Sequence, residues 1–172
     1  MIVYDIIESP VGELLLAASA DGLVGVSFPR HAPEHRPEPG WQRVGTLSNA
    51  AARNVDMARD ELGAYFAGAR TEFTVPLAMS GPPFQARVWA ELRRIGYGET
   101  ISYLELARRV GDPRAVRAVG GANGRNPIPV IVPCHRVIGA DGSLTGFGGG
   151  IERKRWLLQH EGVWQAPLAL PL

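Results

Sequence analysis

The stretch Thr100-Ile101-Ser102-Tyr103-Leu104-Glu105-Leu106-Ala107-Arg108-Arg109-Val110-Gly111-Asp112-Pro113-Arg114-Ala115-Val116-Arg117-Ala118-Val119-Gly120-Gly121-Ala122 decides how the second half of the chain folds. Leu104, Ala107 and Val110 recur at helical spacing and predict a helix over 100–110. Gly111 breaks it. Asp112 offers a cap, and Pro113 at the first helical position predicts a second helix over 113–122. Two short helices across a three-residue break form a helix-turn-helix candidate. On the second helix Arg114, Arg117, Gly121 and Arg125 fall on one face, with Ala118 and Ala122 nearby, so small residues between cations leave room for close approach. Such a face is ordinarily just solvated. Its helix-turn-helix setting and positive surroundings favour a polyanion instead.

Upstream, 84–95 reads as a helix with Val88, Leu92 and Ile95 on one side, stopping before Gly96-Tyr97-Gly98. Residues 71–83, with Pro76, Gly81, Pro82 and Pro83, read as an extended connection, which places a domain boundary near Gly81. Before it, Ala51, Val55, Ala58, Leu62, Tyr65 and Phe66 predict a helix capped by Ser48 and ended by Gly68. Residues 3–7, 13–18 and 23–28 predict short strands. Turn signals at Ser9-Pro10-Val11-Gly12 and Asp21-Gly22 join them into an antiparallel meander that this helix would cover. The segment 29–40 reads as a surface loop, and its His31 and His35, despite helical spacing, as solvated side chains, not metal ligands. The expected fold class is α/β (α+β). A small amino-terminal antiparallel sheet with a helix occupies 1–80, a mostly helical domain with the helix-turn-helix occupies 81–165, and 166–172 is an irregular tail.

Composition bounds these readings. The 172 residues are 45% apolar and 20% charged, ordinary globular values that exclude disorder, collagen-like repeats and a coiled coil. No stretch approaches the roughly 20 apolar residues of a membrane span, and the start lacks a basic region before an apolar one, so a soluble, unexported, cytoplasmic protein is expected. The net charge of +1 divides unevenly: residues 1–80 carry −4 and residues 81–172 carry +5. Only the second half can face a polyanion. Cys134 is the one cysteine, which excludes an intramolecular disulfide and a thiolate zinc site.

The sequence Asn126-Pro127-Ile128-Pro129-Val130-Ile131-Val132-Pro133 reads as an extended run that delivers Cys134. On a regular strand Cys134 and His135 would point to opposite faces, but Pro133 can introduce a turn or short helix that brings both to one pocket. A free thiol, with a pKa of about 8.5, is mostly protonated at neutral pH. A histidine base held by a carboxylate would solve that, although a lone Cys-His pair is weak support. Residues 139–150 hold six glycines in twelve positions. Asp141-Gly142 suits a hairpin, and the excess after Thr145 suggests a loop lying close to a ligand, with Phe147 stacking on it. No lysine and hydroxyl of a P-loop follow. A last helix over 152–160 presents Trp156 and Leu157 to a core and stops at Gly162; Glu161 at its end is either solvated or folded back as a buried carboxylate.

Taken in order, Pro83-Phe84-Gln85, Tyr97-Gly98-Glu99-Thr100-Ile101-Ser102-Tyr103, Arg117-Ala118-Val119-Gly120-Gly121-Ala122, Asn126-Pro127, Pro133-Cys134-His135-Arg136-Val137 and Trp156-Leu157-Leu158 with His160-Glu161-Gly162 resemble the O6-alkylguanine-DNA alkyltransferases, or methylated-DNA–protein-cysteine methyltransferases. Residues 1–80 match more loosely the ribonuclease H-like domain of that family. The resemblance implies a single-use repair reaction on double-stranded DNA containing O6-alkylguanine, and O4-methylthymine, with no cofactor and no metal. Cys134 would be the alkyl acceptor, His135 its base through a water, Glu161 the residue orienting that base, and Asn126 the support of the turn. Tyr103 would contact the phosphate behind the flipped nucleotide and assist protonation of the departing guanine. Arg117 would fill the gap in the stack, and the helix bearing Arg114, Arg125, Ala118, Gly121 and Ala122 would lie in the minor groove. Phe147, Gly148, Val132 and Lys154 would form the substrate pocket; Phe147 stands where the family often has tyrosine and Gly148 where it often has serine. A monomer, cooperative along DNA and nucleoid-associated, is implied. The rival reading within this class is a non-catalytic alkylated-DNA damage-binding protein, which lacks the acceptor cysteine. A cysteine hydrolase would turn over without DNA, and a helix-turn-helix regulator would be indifferent to Cys134→Ser.

Overall fold

A computed structural model describes residues 1–28, 36–145, 147 and 149–163. Strands β1 (Val3–Ile7), β2 (Leu14–Ser19) and β3 (Gly22–Ser27) form the expected antiparallel meander, with Val3 opposite Ala18 and Ile7 opposite Leu14. A fourth strand, β4 (Gln42–Arg43), pairs parallel to β1, giving the order β3-β2-β1-β4. Two exposed polar residues carry no alternation, so the sequence pattern does not show it. Leu14, Leu16 and Ala18 of the central strand bury against Ala51, Val55, Ala58 and Leu62 of helix α1 (Ala50–Phe66). Each leucine so buried stabilises the fold by roughly 1.5–3 kcal/mol.

The cap of α1 is Asn49, not Ser48: the Asn49 side chain accepts from the Ala52 amide at 2.9 Å. Gly68 ends the helix as expected, with φ +76° and its amide donating to the Tyr65 carbonyl at 3.0 Å. The connection after it docks on the sheet. Leu23 donates to the Pro76 carbonyl and accepts from the Ala78 amide, both at 2.8 Å. Gly22 is required here because a Cβ would lie 2.6 Å from the Pro76 oxygen.

In the second half, α2 (Pro83–Leu92) starts on its proline, and its Trp89 indole donates to the Ala122 carbonyl at 2.9 Å. Residues 101–102 are not helical. They form β5 (Ile101–Ser102), parallel to β6 (Val137–Ile138), and Ser102 caps α3 (Tyr103–Arg109) by accepting from the Glu105 amide at 3.0 Å. Helix α4 (Val116–Gly124) begins later than Pro113. The Asp112 side chain accepts from the Arg114 amide and its carbonyl from the Ala115 amide, both at 3.0 Å, so the aspartate closes a turn in place of a helix start.

The run 126–133 is also not extended. It folds back in turns, with the Val132 amide donating to the Ile128 carbonyl at 2.9 Å and Val130 at φ +74°. Ile128, Val130 and Val132 are all fully buried, and drawing three alternate apolar side chains into one core bends the chain that bears them. A β-branched residue in the left-handed region costs on the order of 1–3 kcal/mol, which that burial offsets. Last comes α5 (Ile151–His160). One apolar cluster runs through both halves, from Val3 to Leu157. The readings for His31, His35, Gly148 and the tail 166–172 lie outside the described residues.

Candidate active site

Pro133 does introduce a short helix: Cys134–Arg136 form one 3-10 turn. The turn is fastened from two sides. Asn126 donates to the Val132 carbonyl at 2.8 Å and accepts from the Ile128 amide at 3.0 Å, while Asn123 donates to the Cys134 carbonyl at 3.3 Å. Cys134, 4% exposed, lines a cavity of about 300 Å³ together with Asn126, Pro129 and Phe147. Burial pushes its thiol up to about 11, against the opposing pull of the Asn126 amide and the Lys154 cation. At neutral pH the nucleophile is therefore a thiol that needs a base.

The next residue carries a titratable ring. His135 is fully buried, and its Nε2 lies 3.1 Å from both carboxylate oxygens of Glu161, while Nδ1 has no hydrogen-bonding partner among the described residues. Burial lowers its pKa below 6.5, outweighing the hydrogen bond and negative charge of Glu161. A neutral ring that donates from Nε2 presents a lone pair at Nδ1. Glu161, the C-cap of α5, takes the buried alternative. Burial alone would raise its pKa, but hydrogen bonds from His135 and Arg136 hold it at about 2. Arg136 reaches it through Nε at 2.9 Å and Nη2 at 2.6 Å, and its Nη1 donates to the Ile95 carbonyl at 2.6 Å. A permanent carboxylate thus faces the imidazole from a fixed position.

Tyr103 opens α3 and donates through its hydroxyl to the Thr145 carbonyl at 2.8 Å; burial raises its pKa. Lys154 is fully buried behind it. Its Nζ donates to the Val137 carbonyl at 2.5 Å and the Thr145 carbonyl at 2.8 Å and lies 3.5 Å from the Tyr103 hydroxyl, and burial lowers its pKa to about 8. Arg117 and Ala118 are exposed on α4 and Gly121 is half-buried. Among the described residues no three His, Cys, Asp or Glu side chains gather to hold a metal, and no helix is long and apolar enough to cross a membrane.

A protonated buried thiol and a neutral imidazole thus share one turn, and a clamped carboxylate reaches them from the end of α5. Residues 2–79 match the model of the 6-O-methylguanine DNA methyltransferase ribonuclease-like domain, and residues 83–163 that of the DNA binding domain of the same proteins. The chain belongs to the 6-O-methylguanine DNA methyltransferase family. It is 50% identical to the methylated-DNA–protein-cysteine methyltransferase of Mycobacterium tuberculosis over 94% of this chain and 93% of that one. With the Methanosarcina acetivorans protein of the same name it shares 46% over 92% and 97%. Among solved structures it superposes on M. tuberculosis O6-methylguanine methyltransferase with TM-score 0.81 at 48% identity, covering 98% and 97% of the two chains. The M. tuberculosis protein in complex with DNA gives the same TM-score and identity over 92% of each.

Within this family member several residues stand elsewhere than the sequence alone places them. Ala122 is 1% exposed and packs inward, so it is not part of the exposed face of α4. Arg114 precedes the helix, 94% exposed, and Arg125 is its C-cap, with Nη1 lying over Gly121 and its side chain at the cavity rim. The arginines therefore do not form one helical stripe. Val132 and Lys154 are fully buried and are not among the cavity's lining residues; Lys154 instead fixes Tyr103 and Thr145. Arg136 and Asn123 are the residues the sequence reading leaves without a role. Arg136 sits in the motif itself, and a buried guanidinium always needs a partner. Asn123 gives no such signal.

Proposed function

We propose that this protein repairs DNA by moving the alkyl group of O6-alkylguanine, and of O4-methylthymine, directly and irreversibly to Cys134. Helices α3 and α4 bind the duplex from the minor groove as a monomer, cooperatively along the DNA, and the damaged nucleotide rotates out because an alkyl carbon inside the stack cannot reach an enclosed sulfur. Arg117 fills the vacated place. Residues 1–80 act as the ribonuclease H-like domain and residues 81–165 as the DNA-binding and acceptor domain, working on chromosomal DNA in the cytoplasm.

In the reaction His135 Nδ1 takes the thiol proton through a water, and Glu161 stabilises the resulting imidazolium at Nε2. The sulfur forms a bond to the alkyl carbon as the carbon–O6 bond breaks, and that electron pair leaves with the purine, which Tyr103 helps to protonate. Guanine and a thioether result. No cofactor enters, because the electrophilic carbon arrives on the substrate. A thioether has no good leaving group and the chain has no second cysteine to take the alkyl group on, so each molecule acts once.

The observation that carries this reading is the buried Cys134 thiol, opening on a cavity and followed directly by a neutral histidine held by an ionised glutamate. The test is intact-mass and peptide mass spectrometry after incubation with a duplex containing O6-methylguanine. One methyl per molecule on Cys134, absent from Cys134→Ser, is expected. Tight lesion binding without a mass change would favour a damage-binding protein, and neither binding nor transfer would favour a cysteine hydrolase.

A further inference from the structure

The cavity beside Cys134 is not closed by the acceptor half alone. Val26 and Ser27 at the end of β3, and Phe28 just after it, line the same space as Cys134, Asn126 and Phe147. We infer that Ser27, the last residue of β3, and Phe28, which follows it, set the size of alkyl group that Cys134 can accept. The inference rests on the alkyl-transfer reading above and adds to it the specificity-determining wall.

Four observations make this wall rigid. Phe28, 4% exposed, meets Phe147 edge to face at 6.3 Å and 65°. Arg153 of α5 lies 4.7 Å above the Phe28 ring, and the same guanidinium donates to the Val11 carbonyl at 2.6 Å and the Gly149 carbonyl at 2.7 Å. Gly149 is the spacer between the two rings: a Cβ there would lie 2.6 Å from Phe28 and 2.7 Å from Phe147. Finally, the Val26 amide donates to the Pro127 carbonyl at 2.9 Å, fixing β3 to the segment that bears Asn126. Phe28 cannot withdraw without losing its contacts to the Phe147 ring, to Gly149 and to the Arg153 guanidinium of α5.

At about 300 Å³ the cavity is at the low end of small-ligand pockets, roughly 300–1,000 Å³. A flipped base with a methyl group leaves little to spare, so a longer chain presses on whatever stands opposite the sulfur, and each methylene in a fixed apolar pocket changes selectivity about 10–200-fold. If only Pro129 and Phe147 shaped the space, residues of the sheet would not influence which lesion is preferred.

The experiment measures single-turnover transfer rates at saturating duplex for O6-methylguanine and O6-benzylguanine, using the full-length protein and its variants Phe28→Ala, Phe28→Leu and Ser27→Phe. The readout is the benzyl-to-methyl ratio. Opening the wall in either Phe28 variant raises the ratio, by about tenfold or more for alanine, and filling it in Ser27→Phe lowers the ratio by a similar factor. General damage to the fold slows both substrates together and leaves the ratio unmoved. An unmoved ratio in folded variants, or a shift of the same sign for Phe28→Ala and Ser27→Phe, overturns the inference while leaving alkyl transfer intact. A wild-type protein that moves no methyl to Cys134 overturns the underlying reading instead.

Discussion

In the proposed reaction His135 divides its two nitrogens between structure and chemistry. Nε2 is committed to Glu161, so Nδ1 is the only atom of the ring that can receive a proton from Cys134. Replacing it by glutamine keeps a donor toward the carboxylate but removes the base. His135→Gln is expected to slow transfer by roughly 10²- to 10⁴-fold in single-turnover assays while lesion-duplex affinity, measured by fluorescence anisotropy, stays within a few-fold. The pH dependence has a definite sign. Burial holds the imidazole pKa below 6.5, so the rate is flat from there through neutrality and falls only on the acid side. Adjacent Cys134 and His135 announced this pair in the sequence, and Glu161 was visible as one of two alternatives. Arg136 was not legible as a site residue because its role follows from burial, which residue type alone does not predict.

At the scale of elements, the long periodic segments were readable and the short ones were not. Helix α1 and strands β1–β3 repeat apolar residues often enough to declare a period, whereas β4, β5 and β6 have two residues each and declare none. Prolines misled in two places. Pro113 suggested a helix start that the Asp112 turn pre-empts, and the proline run at 126–133 suggested a strand where buried valines and isoleucines enforce turns. The shift at α4 has a functional consequence. Arg117, on the helix, is expected to matter mainly when a duplex must be held open, so Arg117→Ala lowers transfer from duplex O6-methylguanine much more than from the free O6-benzylguanine base. Arg114→Ala, at a fully solvated turn residue, costs less on the duplex. Equal loss on both substrates for Arg117→Ala would remove its role in the stack.

For the whole molecule, the site is also a pillar of stability. The Glu161 carboxyl has a pKa of about 2 in the folded protein against an ordinary value of 4.5, so the folded state binds fewer protons than the unfolded one over that interval. Its contribution is fully present above about pH 4.5 and is lost as the pH falls toward 2. Denaturant midpoints followed from pH 7 to pH 2.5 should show this loss. Glu161→Gln should flatten the slope within that window and, by leaving Arg136 without its anionic partner, lower stability at pH 7 by about 3–5 kcal/mol. A variant that keeps the wild-type slope would assign the acid sensitivity elsewhere.

One guanidinium gives the two halves a shared fate. Arg153 holds the first hairpin through Val11, the aromatic end of β3 through Phe28 and the glycine loop through Gly149. The boundary that the sequence suggests near Gly81 is therefore bridged by a single side chain, and a sheet transplanted from a relative would bring its own wall to the acceptor cavity. The halves are cut to each other, as a bolt is to its strike plate.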